Sequence, residues 1–572
     1  MWSYIREKLY NMKSIFLAVI AFSFPSLLFA QQTTGLFQYD WPTEEGFILW
    51  SPLLNGHNTY LMNNCGQIVH TWNTPNTTPG NSHYLLSDGT LMMAAKADTA
   101  LNNPIGGGGG GERIMHLDWD GNVLWDYIHY DNTKKLHHDI EILPNGNVLA
   151  IVWEIVDSVD CVAAGRDPEK LSSSVLWNER IIEVERTGLT TGNVVWEWDV
   201  FDHLVQDFDP TKDNYGVVTE HPELLDINWL NTSIPDSARD DFMHFNSVAY
   251  NAEFDQIVFS SQGMSEIYII DHSTNSQEAA SHTGGTSGKG GDFLYRYGNP
   301  QVYDRGGSSN QVLWRQHDAK WIPEGYLDGG SIMIFNNGLD RPVPMSEIDV
   351  ITPPQSTPGV YETLALGEAF GPEEKTWNYH APDSVSFYSY FISGATRSAT
   401  GSTFICAGES GRMFEVTYSG EKVWEYINPV AFSGILSSTD EIPLAGGGNF
   451  HGNLVFRAEK YPSDFSGFDG HDLSTGVQLE ANPFLSSCVV GVDDFEDEEA
   501  FSIYPNPSEG SVTIEGLRNA EMNIFDASGR NVLLRNITTN NERFDLSGLS
   551  SGLYMIQFSH NGKRISSKLM VQ

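Results

Sequence analysis

The sequence is poor in cysteine and in basic residues, and both shortages narrow its chemistry. Only four cysteines occur in 572 residues, and none has CxxC spacing or a nearby histidine cluster: Cys65, Cys161, Cys406 and Cys488. A cysteine-based zinc site is therefore not expected, and three disulfide connectivities stay open. Lys and Arg number 32 against 74 Asp and Glu, which gives a net charge of −42. Such a surface repels nucleic acid and anionic membranes, so neither is an expected partner.

The sequence also lacks a nucleotide-binding motif. GGTSGKGG at residues 284–291 has the wrong glycine spacing for a P-loop, Gly290 stands where Ser or Thr is needed, and a strand follows instead of a helix. The six glycines at 106–111 predict a flexible loop rather than a phosphate cradle. No cofactor and no metal ligand set is expected.

No apolar run after residue 30 reaches the length of a membrane span. At the N-terminus, Lys8 and Lys13 precede the apolar run 15–22, and Ala30 ends a small-residue cleavage site. Residues 1–30 are therefore predicted to be an export signal peptide, with a secreted or cell-surface mature protein.

Aromatic residues and glycine are abundant, and they occur in repeats. Aromatics make up 12%, with 15 Trp and 54 Gly, which is typical of β-rich proteins with many tight turns. A Gly-led strand ending in an aromatic and an acid recurs at residues 66–73, 121–127, 192–199, 291–300, 374–382 and 420–429. Six such units predict an all-β fold, a six-bladed β-propeller over residues 31–490.

A second repeat places a histidine before a turn and an apolar strand. Its copies are LHHDIEILPNGNVLAIVWE at 136–154, MHFNSVAYNAEFDQIVFSS at 243–261 and RQHDAKWIPEGYLDGGSIMIFNNGLDR at 315–341. A histidine at the same point of several repeats predicts one polar centre in a radially symmetric fold. The polar connections 154–176 and 200–241 between the units predict loops on one face.

The candidate catalytic residues are His317, His244, His138 and Arg341. His317 is the strongest, because Asp318 and Arg341 share its motif. His137 and His138 are adjacent, so in a regular strand they point to opposite faces and at most one reaches the centre. His138 is favoured, since it aligns with His317 through the following Asp.

The candidate anion-binding residues lie downstream of His317. Arg341 offers a planar fork for an oxyanion, and Asn337 and Asn336 add neutral donors. Arg397 is predicted either to bind the anion or to form a salt bridge between blades. The residues Trp125, Trp196, Trp198 and Trp424 are predicted to be packing core, and His380 and His451 ordinary loop histidines.

The composition changes near residue 491. Residues 491–500 include the acidic stretch DDFEDEEA and predict a linker, and 501–572 contain alternating strands that predict a small β-sandwich. The motifs YPNP, DASGR and DLSGLSSGLY resemble the C-terminal sorting domain of type IX secretion cargo. That resemblance implies the type IX machinery as a partner. Whether the tail is removed after export stays open.

The repeats at 136–154 and 243–261, QHD followed by FNNG-x-x-R, and GEKVWEYINP resemble bacterial aryl-sulfate sulfotransferases over about residues 66–472. The resemblance implies a six-bladed propeller and nucleotide-independent transfer of a sulfuryl group from an aryl sulfate to a phenol, through a sulfohistidine. His317, Arg341 and His244 match the family's motifs. The family's nucleophilic histidine lies in a later blade, where this sequence has Arg397 and Arg412 but no histidine. His138, His244 and His317 therefore all remain candidate nucleophiles.

Other functions stay open at this level. A propeller without that late histidine is also compatible with non-catalytic binding of sulfated or phenolic ligands. A cell-surface interaction module and a cofactor-dependent propeller dehydrogenase are the remaining alternatives, and visible absorbance of the purified protein would reveal the latter.

Overall fold

The computed structural model describes residues 31–54, 56–74, 77–97, 104–230, 240–362, 364–383, 386–474, 476–483, 502–508, 510–526, 531–560 and 563–571. The predicted signal peptide 1–30, the linker 491–500 and Cys488 lie outside this set. The structure is all-β, as the sequence predicts. In the described ranges, no helix has the length and apolar character needed to cross a membrane.

Six antiparallel sheets of four or five strands dominate residues 35–478, and we name them sheets I to VI. Sheet I has the strand order Val455–Pro462, Gly46–Pro52, Asn58–Asn63, Gln67–Asn73, Val477–Gln478. Sheet II consists of Pro79–Leu85, Leu91–Ala95, Arg113–Leu117, Val123–Ile128. Sheet III consists of Lys134–Ile142, Val148–Asp157, Val175–Arg186, Gly192–Asp199.

The later three sheets repeat this plan. Sheet IV consists of Phe245–Asn251, Gln256–Ser261, Glu266–Asp271, Tyr295–Tyr297. Sheet V consists of His317–Trp321, Ile332–Asn336, Glu347–Ile351, Trp377–Tyr379. Sheet VI consists of Gly394–Arg397, Thr403–Ala407, Arg412–Val416, Lys422–Ile427, Gly35–Tyr39.

Helices are short and lie in the connections. The α-helices are Ser158–Ala163 and Ser276–Ala279. The 3₁₀ turns are Pro168–Lys170, Val200–Asp202, Val218–Glu220, Pro300–Tyr303, Ser308–Asn310, Gly408–Ser410 and Ser466–Phe468. Small two-stranded ladders pair Leu204–Val205 with Leu225–Asp226, Gln355–Thr357 with Val360–Tyr361, Val430–Ala431 with Gly434–Ile435, and Leu444–Ala445 with Phe450–His451. The connection predicted at 154–176 is shorter than expected, because the second strand of sheet III continues to Asp157 and the third strand already begins at Val175.

Sheets I and VI each combine strands from both ends of this region. Gly35–Tyr39 pairs with Lys422–Ile427, and Val455–Pro462 pairs with Gly46–Pro52. The first strands of neighbouring sheets contact one another in the order I to VI, and the first strand of VI contacts that of I. The two ends of the region are thereby held together by strand hydrogen bonds.

The apolar core lies between neighbouring sheets. Each of six buried clusters draws its residues mainly from two adjacent sheets. In the second strand of sheet III, Ala150 packs toward sheet II and Leu149 and Ile151 toward sheet IV. Because side chains alternate along a strand, a strand covered on both faces needs a continuous apolar run. This is why VLAIVW lacks the polar alternation of an exposed strand.

Tryptophans near the outer edges of the sheets fasten one sheet to the next. Their indole Nε1 atoms donate hydrogen bonds to the following sheet or its turns: Trp72 to Asp118 O, Trp125 to Thr191 O, Trp196 to Thr274 Oγ1, Trp198 to Gly291 O, Trp377 to Tyr418 O and Trp424 to Asn64 O. The packing role predicted for Trp125, Trp196, Trp198 and Trp424 is confirmed, and all four are buried. Each indole satisfies its polar atom while burying its rings.

The C-terminal region forms two sheets around its own core. One sheet has the strands Ser502–Tyr504, Ser511–Glu515, Asn541–Asp545, and the other Asn531–Ile537, Ala520–Phe525, Gly552–His560, Lys563–Val571. Both contribute to one apolar cluster that includes Val512, Ile514, Met522, Ile524 and Ile556.

The cysteines do not all form disulfides. Cys65 is disulfide-bonded, whereas Cys161 and Cys406 are free and buried.

Candidate active site

The histidine-bearing first strands of sheets III, IV and V are irregular at the predicted positions. Their pairing registers shift between residues 137 and 140, 245 and 247, and 317 and 320. His138, His244 and Asp318 have φ of 54°, 52° and 53°. This left-handed conformation costs roughly 1–2 kcal/mol for an L-residue. Strain of this kind clusters at functional sites, and the irregular strands redirect these side chains.

The three predicted histidines gather around Phe456 from sheet I. The His138 and His244 ring centroids are 4.6 Å apart in an edge-to-face contact. The Phe456 ring lies 5.9 Å from His138 and 6.5 Å from His317. His138 and His317 are buried, and the His244 side chain is 17% exposed. Residues far apart in the chain thus form one cluster, which we call the histidine cluster (His138, His244 and His317).

His137 contacts His138 directly, although the sequence predicts that these two side chains point to opposite faces of the strand. The expectation of opposite faces is wrong, because His138 has left-handed φ and the strand is not regular there. His137 Nδ1 lies 2.8 Å from His138 Nδ1, and His137 Nε2 lies 2.9 Å from Glu179 Oε2. The His137 ring also stacks on Trp153, with centroids 3.7 Å apart.

His138, His137 and Glu179 form a chain of hydrogen bonds, which we call the relay, and Glu179 is its last member. Its Oε1 accepts hydrogen bonds from Trp153 Nε1 at 3.0 Å and from Phe245 N at 2.7 Å. Burial raises the pKa of Glu179 well above its usual range. The protonation state of Glu179 sets the direction of these hydrogen bonds. An ionised Glu179 makes His137 donate from Nε2 and leaves His138 Nε2 with a lone pair, whereas a protonated Glu179 reverses the direction and places a proton on His138 Nε2.

The other two histidines hydrogen-bond through Nδ1 to acceptor oxygens. His244 Nδ1 donates to Asp241 Oδ2 at 2.5 Å. Asn337 Nδ2 donates to Ser389 O and Ile392 O, so Asn337 Oδ1 must accept from His317 Nδ1, at 2.8 Å. The neutral His317 ring thereby keeps its lone pair on Nε2, and His244 Nε2 is the atom through which that ring can gain or lose a proton.

Burial disfavours the charged form of His138 and His317. Removal from water lowers the pKa of His317 to about 3 and the pKa of His138 well below its usual value. A neutral imidazole with a free Nε2 is the form that attacks an electrophile or accepts a proton.

Arg457 lies between the two His-Asp pairs. Its Nη1 is 3.0 Å from Asp139 Oδ2, and its Nε is 3.2 Å from Asp318 Oδ1. The same carboxylates accept hydrogen bonds from the next sheet, Asp139 from Val248 N and Asp318 from Ala395 N. The aspartate of each motif therefore fastens sheets together, while the histidine faces the cluster.

The remaining predicted residues are placed as follows. Asn336 is buried, accepts from Trp314 N and donates to Asp349 Oδ2, so its amide is used inside sheet V. Arg341 Nη1 lies 3.1 Å from Glu347 Oε1, with a quarter of the side chain exposed. Arg397 is buried, pairs with Asp328 at 3.0 Å and lies over Trp377. Arg397 therefore forms the salt bridge between sheets that was one of its two predicted roles.

Sequence reasoning missed five residues that shape the cluster: Gly109, His137, Glu179, Asp241 and Arg457. Two carried a readable signal. Asp241 comes three residues before His244, and Arg457 directly follows the apolar pair Val455 and Phe456 in the strand VFRAEKYP. Glu179 resembles other acids of its alternating strand, and only its position opposite His137 distinguishes it.

The glycine run has a specific role at Gly109. A Cβ at Gly109 would lie 2.1 Å from His138 Cε1, and its φ is +93°. The Gly109 carbonyl also accepts from His138 N at 2.7 Å. The loop therefore needs glycine for close approach and for its backbone conformation.

We expect Gly109→Ala to reduce turnover at the cluster, because the added methyl group must displace the His138 ring. A fall in kcat of about 10²-fold is expected for a 1 Å displacement. Gly108→Ala is the matched control, since a Cβ there meets nothing within 4 Å. Equal kcat values for the two variants would contradict the role of Gly109.

Comparisons with solved structures give only distant similarity. A protein of unknown function from Bacteroides caccae matches with 11% identity and a TM-score of 0.38, over 73% of this chain and 99% of that one. Virginiamycin B lyase from Staphylococcus aureus matches with 12% identity and a TM-score of 0.31, over 70% and 86%. A putative 6-phosphogluconolactonase from Bacteroides fragilis matches with 9% identity and a TM-score of 0.32, over 73% and 98%. Among curated proteins, no sequence matches this chain.

Comparison with protein families gives two matches. Residues 502–572 match the secretion system C-terminal sorting domain. Residues 38–429, more than half of the chain and the region that carries His138, His244 and His317, match the arylsulfotransferase (ASST) family. The chain therefore belongs to the arylsulfotransferase family.

Proposed function

We propose that this protein transfers a sulfuryl group from an aryl sulfate to a phenolic acceptor at the histidine cluster. The observation that carries the proposal is the convergence of three histidines, each hydrogen-bonded at Nδ1, in a chain of this family. We further propose that sheets I to VI are the six blades of a β-propeller spanning residues 31–490, and that residues 501–572 form a β-sandwich. The cluster then lies where the first strands of the blades meet.

In the first half-reaction, His317 Nε2 attacks sulfur. The N–S bond forms as the S–O bond to the aryl group breaks, and the phenolate leaves with a proton from the His244 imidazolium. The Asn337 Oδ1 acceptor stabilises the positive charge that His317 acquires, since its hydrogen bond to Nδ1 strengthens. The product of this step is a sulfohistidine.

In the second half-reaction, the acceptor phenol gives its proton to His244 Nε2 and its oxygen attacks sulfur. The N–S bond breaks and His317 returns to its neutral form. Asp241 makes His244 suited to this task, because its carboxylate stabilises the imidazolium. One histidine thus bonds covalently, and the other moves the proton in both directions.

His138 lies beside His244 and Phe456, with ring centroids 4.6 and 5.9 Å away. Its edge-to-face contact with His244 leaves no room for a sulfuryl group between these two rings. We therefore assign His138 to hydrogen bonding of the reacting groups, with His317 as the nucleophile.

Arg341 is the proposed group for the sulfate oxygens. Its guanidinium is partly exposed and lies 3.1 Å from Glu347 Oε1. A sulfate can take a second edge of the planar fork without displacing that partner. Asn337 is fully used by His317 and two carbonyl groups, so it acts as a positioning residue.

The test is a mass map of the full-length protein after brief incubation with an aryl sulfate and no acceptor. We expect one equivalent of sulfuryl group on the peptide containing His317, discharged on addition of a phenol. Modification of His138 or His244 instead would overturn the assignment of the nucleophile. Release of no phenol, with ligand-induced thermal stabilisation, would overturn catalysis and leave a binding protein.

We propose that Glu179 is ionised during turnover, and we therefore expect Glu179→Gln to lower kcat by about 10³-fold or more, as for the buried acid of a catalytic triad. The Gln amide oxygen keeps the bonds from Trp153 and Phe245, while its NH₂ donates to His137 Nε2. The relay then reverses, and His138 Nε2 carries a proton. The matched control is Glu183→Gln, whose carboxylate binds Asn147 and His272 away from the cluster. Equal kcat values for both variants would contradict the relay.

The C-terminal sorting domain supports export and a secreted or cell-surface location. We propose that the type IX secretion machinery recognises residues 501–572 and that the substrates are small aryl sulfates and phenols met outside the cell.

A further inference from the structure

Two connections meet at a buried histidine far from the histidine cluster in sequence. His203 follows the 3₁₀ turn Val200–Asp202, in the segment between sheets III and IV. His282 and Asp292 belong to the connection between the last two strands of sheet IV. The His203 and Asp292 side chains are buried, and that of His282 is 60% exposed.

The three side chains converge on one point. Asp292 Oδ1 lies 2.8 Å from His203 Nδ1 and 2.8 Å from His282 Nδ1. These three atoms all lie within 4.8 Å of one another. On its far side, His203 Nε2 lies 2.7 Å from Ala279 O.

Two acceptor atoms face each other in this arrangement. The Ala279 carbonyl can only accept, so His203 Nε2 donates the ring proton to it. His203 Nδ1 then directs a lone pair at Asp292 Oδ1, which is also an acceptor. A metal cation among the three atoms, or a proton shared between these two, satisfies both acceptors.

We propose that His203, His282 and Asp292 bind one first-row divalent cation, with Zn²⁺ the best match. Two imidazoles and one carboxylate are donors that Zn²⁺ prefers, and three protein ligands leave a position for water. The Ala279 carbonyl supplies the outer hydrogen bond that fixes a metal-binding imidazole. Tetrahedral bonds of about 2.0–2.1 Å put ligand atoms roughly 3.3 Å apart. The distances from Asp292 Oδ1 to the two histidine nitrogens therefore lengthen by about 0.5 Å when the ion binds.

The open position faces a surface cleft of about 730 Å³ that His282 and Asp292 line together with His221 and Glu223. The exposed His282 ring has room to rotate, whereas His203 does not. A Cβ at Gly291 would lie 2.5 Å from His203 Nε2, and His203 also stacks on Trp198. The ion therefore links a rigid ligand to a mobile one and clamps the two connections together. The role is independent of sulfuryl transfer.

The sequence does not predict this site, because none of its ligands is a cysteine and their spacing matches no metal-binding motif. The ligands come from two segments without a local motif, and only the fold brings them together. A local pattern such as HxH or HxxxH is absent around His203 and His282.

The test uses full-length protein that has been treated with a chelator and dialysed. We expect calorimetric titration with Zn²⁺ to give one equivalent per chain and a higher Tm on loading, because a ligand that binds only the folded state stabilises it. His282→Ala and Asp292→Asn should each weaken this binding by at least about 10-fold. The His282 side chain is exposed, so its replacement leaves folding intact.

The matched control is His221→Ala, in the same cleft but paired with Glu223 at 3.0 Å. It should bind Zn²⁺ like the wild type. Equal titrations for wild type, His282→Ala and Asp292→Asn would overturn the site. A protein that binds no equivalent of Zn²⁺ and shows no rise in Tm would also overturn it, and would leave an ion pair between protonated His203 and Asp292. Neither readout depends on sulfotransferase activity.

Discussion

His317→Asn is expected to lower kcat for aryl sulfate turnover by about 10⁴-fold or more, the loss typical of a removed nucleophile. Asparagine retains a donor near the position of Nδ1 and so keeps the hydrogen bond to Asn337, but it has no counterpart of Nε2. The protein should fold normally and still bind the donor. The same variant should give no labelled peptide in the mass map.

Two comparisons separate chemistry from folding in this experiment. His380 is exposed and its Nδ1 lies 2.9 Å from the carbonyl oxygen of Ala381, so His380→Asn should retain wild-type kcat. The Tm of His317→Asn should stay close to that of the wild type. A variant with wild-type Tm and more than a tenth of wild-type kcat would show that His317 is not the nucleophile.

Arg457→Met is expected to lower the free energy of unfolding by about 3–5 kcal/mol, the range for breaking a buried ion pair by removing one partner. Arg457 is 3% exposed and has carboxylates on two sides, Asp139 and Asp318. Without the guanidinium, both carboxylates stay buried beside the histidine cluster. Urea unfolding followed by tryptophan fluorescence measures the difference.

The matched control for Arg457→Met is Arg180→Met. Arg180 also pairs with a carboxylate, Asp199 at 2.7 Å, but its side chain is 27% exposed. Exposed ion pairs contribute about 0–1 kcal/mol, so this variant should be nearly as stable as the wild type. Similar losses in both variants would contradict the central role of Arg457.

The loss of stability caused by Arg457→Met should become smaller as the pH falls. Burial raises the pKa of Asp318, but Arg457 and Lys320 outweigh it and hold the pKa below its usual value. A lowered folded pKa gives stability that is present above the unfolded pKa of about 3.9 and is lost as pH falls through the folded value. The stability gap between wild type and Arg457→Met should therefore narrow below about pH 4. A gap that widens in acid would show that Asp318 does not depend on Arg457.

Much of the architecture was determined by local sequence. Six recurring strand units, most of them led by Gly and carrying Trp, predicted six sheets, because alternation and turn residues act over a few positions. The recurring histidine before a turn predicted which three rings would meet. His138, His244 and His317 each lie in the first strand of a sheet or directly before it, so any arrangement that brings first strands together also brings them together.

Tertiary structure alone decided what each side chain does. Asn336 and Asn337 are neighbours with the same chemistry, but only Asn337 reaches His317. His137 joined the site because His138 adopts left-handed φ. Arg457 meets Asp139 and Asp318 through contacts that span more than a hundred residues of chain. The tautomer, charge and ion pairing of a side chain depend on which residues from distant segments contact it. A local sequence pattern does not contain that information.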